Sequence, residues 1–350
     1  MLEFDGTDWR MIPGQGAIYA LEIDPATGTL YWGGAKGFGK VAITGNGVPT
    51  VQTLSDESVR DVYQASIIKG TAYFLNDEAV YQLNDSEVVS VIKSSNLTGS
   101  FTSLFELFER PYVSTDQSGV YRVDNGSLVN ETLGLPEGSD VIFCARNGSN
   151  YLIGTSDNEL FRSTDATSFN QVNLRDQQYA EASVVVSAVW VNAQLVALGT
   201  LRGGVVFINP NTGATNEIIN YTTGLPDNEV YSISTDKNQN VWVAHDYGFT
   251  RIAPYFPFRS FSHYPGLQGN LLCAHSFKKN VYVGTSLGLF KLEKEADYEE
   301  IVYYVDVEVP IKETSKPLTV DVQPAPEQTK PEPEPEKKEK GLVPFSKKEP

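Results

Sequence analysis

Along most of the chain, a short apolar strand is followed by a polar turn and then by a second short strand. The clearest copies of this pattern are NVWVAHDYGFTRI (residues 240–252) and NVYVGTSLGLFKL (residues 280–292). Short runs rich in Val, Tyr and Phe, with apolar and polar positions alternating, are typical of half-buried β-strands. The pattern therefore predicts antiparallel strand pairs joined by polar turns of about three to five residues.

The copies recur at a nearly constant interval. We align them on the residue after the apolar pair of the first strand, at Gly33, Leu75, Ser114, Gly154, Gly199, Ala244 and Gly284. The successive spacings are 42, 39, 40, 45, 45 and 40 residues. A period of this length built from short strands predicts a β-propeller, a ring of four-stranded antiparallel blades.

Each repeat also contains an apolar inner strand before the pair and a looser outer strand after it. Inner strands are expected to begin near Ile18, Val59, Phe101, Val141, Val184, Val230 and Leu271. Residues 2–12 carry one more strand pair, and pairing across the two termini would remove an exposed sheet edge. The sequence predicts an all-β propeller of seven blades, or of eight if this pair forms its own blade.

The composition changes after residue 310. We expect a propeller over residues 1–311 and a disordered segment over 312–350, which is dominated by Pro, Glu and Lys. Such a segment cannot bury enough apolar surface to fold. It is either a linker to further domains of a longer chain or a plain tail.

The net charge and the lack of a long apolar run narrow the possible binding partners. The net charge of −17 disfavours nucleic acid and anionic lipid as partners. No secretory signal is evident at the N-terminus, and no run of 18 apolar residues occurs, so we expect no direct membrane contact by this segment.

Cys144 and Cys273 are expected to be buried free thiols in equivalent inner-strand positions.

One repeat resembles a known family. Residues 221–252, YTTGLPDNEVYSISTDKNQNVWVAHDYGFTRI, resemble the two-component regulator propeller repeat of Bacteroidetes-type membrane-bound sensors. The shared features are GLP at 224–226 and Trp242, whereas the turn HDYG at 245–248 departs from the pattern. GLP recurs at 134–136, and residues 2–39 are similar to the first repeats of these sensors. The resemblance implies a periplasmic sensor domain, whose signal and membrane helix would be missing through truncation.

A second local resemblance is structural. FRSTDATSFNQV at residues 161–172 is similar to the Asp-box of sialidases, with Phe169 in place of the usual Trp. Asp-boxes stabilise hairpin turns far from the sialidase active site, so we expect a structural role.

The sequence provides little for catalysis. The three histidines, His245, His263 and His275, come from different parts of their repeats, and a metal site needs several convergent ligands. No phosphate loop, dinucleotide fingerprint or nucleophile elbow is present. We predict no catalytic residue, cofactor or metal, and we expect His245 to be a solvated loop imidazole rather than a general base.

The turns between second and third strands provide the binding candidates, because loops on a rigid ring converge on one face. They contribute Lys36, Asp77, Asp116, Asp157, Arg202, His245 and Asp246. These side chains suit a polar small molecule or an oligosaccharide, and a protein partner is also possible. We favour a non-catalytic sensor propeller; the alternatives are a propeller enzyme, either a lyase or a glycosidase, and a purely architectural propeller.

Overall fold

The computed structural model describes residues 1–293 except 5, 15, 44–46, 85, 86, 132, 137, 166 and 257–265, and the side chain of Asn96 is also left out. Three expectations lie outside the described residues: an outer strand at 258–264, the placement of His263 and the segment 312–350. The boundary after residue 311 therefore stays a prediction.

The described chain forms an N-terminal two-stranded hairpin and then seven further antiparallel sheets, each made of consecutive strands. We number these seven sheets in chain order. The N-terminal hairpin pairs β1 (Leu2–Phe4) with β2 (Trp9–Met11). The first sheet contains β3 (Ile18–Ile23), β4 (Leu30–Gly34), β5 (Gly37–Ile43) and β6 (Pro49–Thr53). The second sheet contains β7 (Gln64–Ile68), β8 (Thr71–Leu75), β9 (Ala79–Asn84) and β10 (Glu87–Lys93). The third sheet contains β11 (Phe101–Leu107), β12 (Arg110–Thr115), β13 (Gly119–Asp124) and β14 (Ser127–Asn130).

The fourth sheet contains β15 (Val141–Asn147), β16 (Asn150–Thr155), β17 (Leu160–Ser163) and β18 (Asn170–Gln171). A short helix, α1 (Gln177–Ser183), precedes the fifth sheet, which contains β19 (Val185–Asn192), β20 (Leu195–Thr200), β21 (Val205–Ile208) and β22 (Thr215–Ile219). The sixth sheet has the described strands β23 (Ser232–Thr235), β24 (Val241–His245) and β25 (Gly248–Ile252). The seventh has β26 (Leu271–Phe277), β27 (Asn280–Thr285) and β28 (Gly288–Lys291).

Consecutive sheets pack through their inner strands. Strand β3 contacts β7, and the contacts continue from β7 to β11, β15, β19 and β23. Sheets of up-and-down strands that pack in sequence in this way are blades of a propeller. The all-β propeller prediction is confirmed, while the number of blades stays a prediction.

The small residue at the aligned position has a steric cause. In five sheets the inner strand carries a β-bulge, and the residue after the bulge faces Gly33, Ser114, Gly154, Gly199 or Gly284. A Cβ added at Gly154 would lie 2.2 Å from the Phe143 ring, and one at Gly199 would lie 2.4 Å from Ser187 Oγ. At both positions the facing side chain of the bulged inner strand fills the space that a larger residue would need.

The hydrophobic core is divided among the spaces between sheets. Four buried clusters each join residues of two adjacent sheets: the first and second, the second and third, the third and fourth, and the fifth and sixth. The rings of Phe38 and Phe74, for example, stack with centroids 4.3 Å apart between the first and second sheets. The inner strands were expected to be the most apolar, yet the second strands are the more deeply buried: every residue of β20 is buried. A second strand has a sheet packed on both faces and hydrogen-bonded strands on both edges.

The N-terminal hairpin packs on the sixth sheet. The Trp9 ring stacks on Phe249 with a centroid distance of 5.9 Å, and Phe4 lies 6.1 Å from Trp242. The expected pairing of this hairpin into the last blade is not found among the described residues, where β1 and β2 pair only with each other. All seven residues of β26 are exposed.

Several local expectations were wrong. The second inner strand begins at Gln64 rather than near Val59, because Val59 lies in a turn whose N–H donates to the Asp56 carbonyl at 3.1 Å. Both cysteines are free, as expected, but Cys273 is exposed. It faces Gly284, whereas Cys144 faces Ile153, so the two positions are not equivalent.

No helix in the described part of the chain is long and apolar enough to cross a membrane.

Candidate functional site

The turns between the second and third strands define the tip face. Six of the seven candidate residues are exposed in these turns: Lys36, Asp77, Asp116, Asp157, Arg202 and Asp246. His245 instead ends β24 and is buried. The placement of the six follows the strand pattern read from the sequence, but binding of a ligand by them stays a prediction.

The tips are braced by the sheet that follows in the chain. Backbone N–H groups at the entry to the second, third, fifth and sixth sheets donate to atoms at the tip of the sheet before. The pairs are Val62 to Gly34 O at 3.0 Å, Phe101 to Asp77 O at 3.1 Å, Val185 to Asn158 Oδ1 at 2.9 Å and Val230 to Thr200 O at 3.0 Å. These bonds hold the turns on a rigid support, as a binding face requires.

In several sheets a polar side chain caps this turn from inside. The residue after the aligned position is Thr115, Thr155, Thr200 or Thr285 in four sheets. The Thr200 hydroxyl donates to the Gly204 carbonyl at 2.8 Å and accepts from the Gly203 N–H at 2.9 Å. Such a side chain satisfies backbone groups that the turn would otherwise leave unpaired.

His245 occupies this capping position in the sixth sheet. Its Nδ1 accepts from the Tyr247 N–H at 3.2 Å, and its Nε2 lies 2.8 Å from Thr250 Oγ1. The expected solvated imidazole was therefore wrong: His245 is 5% exposed, and both ring nitrogens have hydrogen-bond partners. The threonines at equivalent positions were a sequence signal for this capping role.

Two of the predicted carboxylates, Asp116 and Asp157, lie near a third, Asp140, which the sequence did not single out. Burial raises the pKa of Asp140, and the charges of Asp116 and Asp157 raise it further. Asp140 directly precedes β15, so it lies at the same end of the sheet as the tips. Asp116 also has a structural task, since its Oδ1 accepts from the Ser100 N–H at 2.8 Å. Within the described residues, no group of three His, Cys, Asp or Glu is arranged to hold a metal.

A patch of tyrosines surrounds Asp246, and we call Tyr231, Asp246 and Tyr247 the tyrosine patch. The Tyr231 hydroxyl donates to Asp246 Oδ1, and this bond is the main cause that raises the pKa of Tyr231 to about 12. Tyr231 is 53% exposed and Tyr247 is 78% exposed. Large exposed aromatic side chains in a polar turn were the signal that could have identified this patch from the sequence.

The GLP loop positions the tyrosine patch. The Asn220 side chain caps a short turn by accepting from the N–H groups of Thr222 and Thr223. Gly224 then adopts a left-handed conformation with φ of 116°. This conformation turns Leu225 into the core between the fifth and sixth sheets, where it is almost fully buried. The motif thus anchors the segment that enters the sixth sheet at Tyr231.

The Asp-box-like segment stabilises a turn, as expected. Asp165 Oδ1 accepts from the N–H groups of Thr167 and Ser168, both at 2.8 Å. The hydrogen bond from the Thr167 hydroxyl, followed by these two backbone bonds, lowers the pKa of Asp165. Phe169 packs against the core between the third and fourth sheets.

Comparisons with known proteins agree with this architecture. The family model described as "Two component regulator propeller" matches residues 224–247, which confirms the resemblance at the repeat that forms the tyrosine patch. No curated protein sequence matches the chain.

Among solved structures, the chain is similar to the extracellular domain named for the hybrid two-component system BT4673 from B. thetaiotaomicron, with 18% identity and a TM-score of 0.55. That match covers 83% of this chain but 41% of that one, so the chain spans about two fifths of its length.

Two further structures share the fold. The WD40 β-propeller domain of Doa1 has 13% identity and a TM-score of 0.53, covering 71% of this chain and 83% of that one. YCF48 bound to D1 peptide has 14% identity and a TM-score of 0.50, covering 83% of this chain and 99% of that one.

Proposed function

We propose that this regulator-propeller domain is the non-catalytic sensing module of a signal-transduction regulator, and that it binds a polar, saccharide-like ligand at the tip face. One observation carries the proposal. The repeat that matches the regulator-propeller family, residues 224–247, also exposes the tyrosine patch at its tip. The segment most typical of the family is therefore also the one that presents aromatic and ionised side chains together.

The chemistry of the tip face supports a polyhydroxylated ligand. Asp246 accepts hydrogen bonds, Arg202 donates them, and tyrosine hydroxyls do both. The aromatic faces of Tyr231 and Tyr247 offer apolar area beside these polar groups. Each hydrogen bond contributes about 1 kcal/mol net, so several must act together for micromolar binding.

The cellular setting belongs to the same proposal. A similar structure is named as an extracellular domain of a hybrid two-component system, and it is more than twice as long as the matched region. We place this chain in the periplasm or outside the cell, as one part of a longer regulator with further domains.

The enzyme alternative finds no support in the imidazole that was its best candidate. Both ring nitrogens of His245 are engaged in capping its turn, so neither can abstract a proton from a ligand without breaking that cap. A protein partner is the second candidate, because exposed tyrosines such as Tyr247 are enriched at protein interfaces.

The test is a glycan array followed by calorimetry on three variants. Asp246→Ala and Arg202→Ala should weaken the binding of a glycan hit by about tenfold each, the equivalent of about 1.4 kcal/mol. Lys69→Ala is the control, because Lys69 lies in the turn between β7 and β8, at the other end of the strands.

Three results would count against the proposal. Binding that survives both tip variants would move the site elsewhere, and binding lost only in Lys69→Ala would place it on the opposite face. Turnover of the bound glycan would overturn the non-catalytic assignment.

A further inference from the structure

A cleft of about 400 Å³ opens between the second and third sheets. It is lined by Tyr73, Gln82, Arg110, Pro111, Arg122, Val123, Asp124 and Asn125. Arg110 begins β12, and the other end of that strand leads to the turn of Asp116. The cleft therefore lies at the opposite end of the strands from the tip face, and it is independent of the proposed sensing site.

Two arginine side chains line this cleft, and they differ in how closely carboxylates pair with them. Arg122 is held in place, with Nε 2.6 Å from Glu131 Oε2 and Nη1 2.9 Å from Asp124 Oδ2. Arg110 is 60% exposed at its side chain, and its Nη1 lies 4.0 Å from Glu131 Oε1, beyond hydrogen-bond distance. Even with a hydrogen bond to the Tyr112 hydroxyl, Arg110 retains donors among its five N–H groups.

The remaining lining supplies both polar and apolar contacts. Asp124 accepts from the Asn125 side-chain amide at 2.9 Å, and Gln82 adds a second amide with donor and acceptor atoms. Tyr73 and Val123 are buried and form an apolar part of the cleft wall. A volume of about 400 Å³ is within the range of small-molecule sites.

We propose that this cleft binds a small hydroxylated carboxylate. The planar fork of Arg110 matches a carboxylate in geometry. The amides of Gln82 and Asn125 and the carboxylate of Asp124 pair with hydroxyl groups on the rest of the ligand. Arg122 is already neutralised by its two carboxylates, so Arg110 supplies most of the attraction for the anion.

The test compares three six-carbon probes by calorimetry. Gluconate carries hydroxyl groups and a carboxylate, sorbitol carries only hydroxyl groups, and adipate carries carboxylates without hydroxyl groups. The proposal expects gluconate to bind more tightly than either of the other two, by about tenfold or more for loss of one charge-assisted hydrogen bond.

Variants identify the site. Arg110→Ala should weaken gluconate binding at least about tenfold. Arg175→Ala, which removes another exposed arginine, should leave binding unchanged. Asp246→Ala should also leave it unchanged, which separates this site from the tip face. Melting temperatures equal to that of the parent protein would show that each variant is folded.

Four results would overturn the proposal. These are no gluconate binding by the parent protein, sorbitol or adipate binding as tightly as gluconate, full gluconate affinity in Arg110→Ala, and affinity lost in Arg175→Ala or Asp246→Ala. Failure of the glycan experiment at the tip face would leave this proposal standing, because the two experiments use different probes and different variants.

Discussion

Replacing Glu22 by glutamine should make the protein more stable at neutral and alkaline pH. Glu22 lies in β3, opposite Tyr31 of β4, and its side chain is only partly exposed. Desolvation raises the pKa of Glu22 from 4.5 to about 7. The folded protein therefore holds a proton that the unfolded chain releases as the pH rises above about 4.5.

The sign and size of the effect follow from proton linkage. For a carboxyl group whose folded pKa is raised, stability falls as pH rises from about 4.5 to about 7 and is constant above that range. A shift of this size corresponds to at most about 3 kcal/mol, and solvent access to the group reduces the cost to about 1–2 kcal/mol. Glutamine has the same shape and no charge, so Glu22→Gln should recover this amount at pH 8 and gain nothing at pH 4.

Thermal unfolding followed by tryptophan fluorescence is the assay. A gain of 1–2 kcal/mol corresponds to a melting temperature about 2–8 °C higher for Glu22→Gln at pH 8. Glu87→Gln is the matched control, because Glu87 is exposed on the outer strand β10. The reasoning would be refuted if the melting temperatures of the parent protein and Glu22→Gln differed by the same amount at every pH from 4 to 8, since Glu22 would then make no pH-dependent contribution to stability.

Three other predictions test the turns and the N-terminal hairpin. Thr200→Val leaves the Gly203 N–H without its acceptor and should cost about 1–2 kcal/mol, seen as a lower melting temperature, whereas Thr200→Ser should retain most of the stability. His245→Thr should cost no more than about 1 kcal/mol, because threonine caps the equivalent turns; a greater loss in chemical denaturation would mean that the imidazole does more. Deleting residues 1–14 uncovers Trp242 and Phe249 and should promote aggregation, measured by light scattering; a monomer with an unchanged melting temperature would contradict the packing role of the hairpin.

Features that repeat along the chain were predictable because each copy supports the others. The aligned position recurs every 39–45 residues, from Gly33 to Gly284, and it identified the strand pairs and the turns between them. The structural role of Asp165 was predictable for a related reason, since an acidic side chain before a Thr–Ser turn bonds to nearby backbone N–H groups whatever its distant surroundings.

Features that depend on a single copy were not predictable. His245 was read as a solvated loop residue, but its position relative to the equivalent threonines makes it a buried cap. Asp140 joins Asp116 and Asp157 only because the third and fourth sheets pack side by side. The N-terminal hairpin has the alternation of a blade strand pair, yet its aromatic rings pack on Trp242 and Phe249 instead of extending another sheet.

By itself the sequence determined the strand content, the period of the repeat and the end of the sheets at which each polar turn lies. These properties depend on interactions within about 40 residues, where alternation and turn chemistry act locally. Only the tertiary structure decided which side chains of different repeats meet: Asp116 with Asp140 on the tip face, and Gln82 with Arg110 in the cleft between two sheets. Such contacts depend on how bulged strands bend and how neighbouring sheets pack, and alternation along one strand carries no information about the sheet beside it.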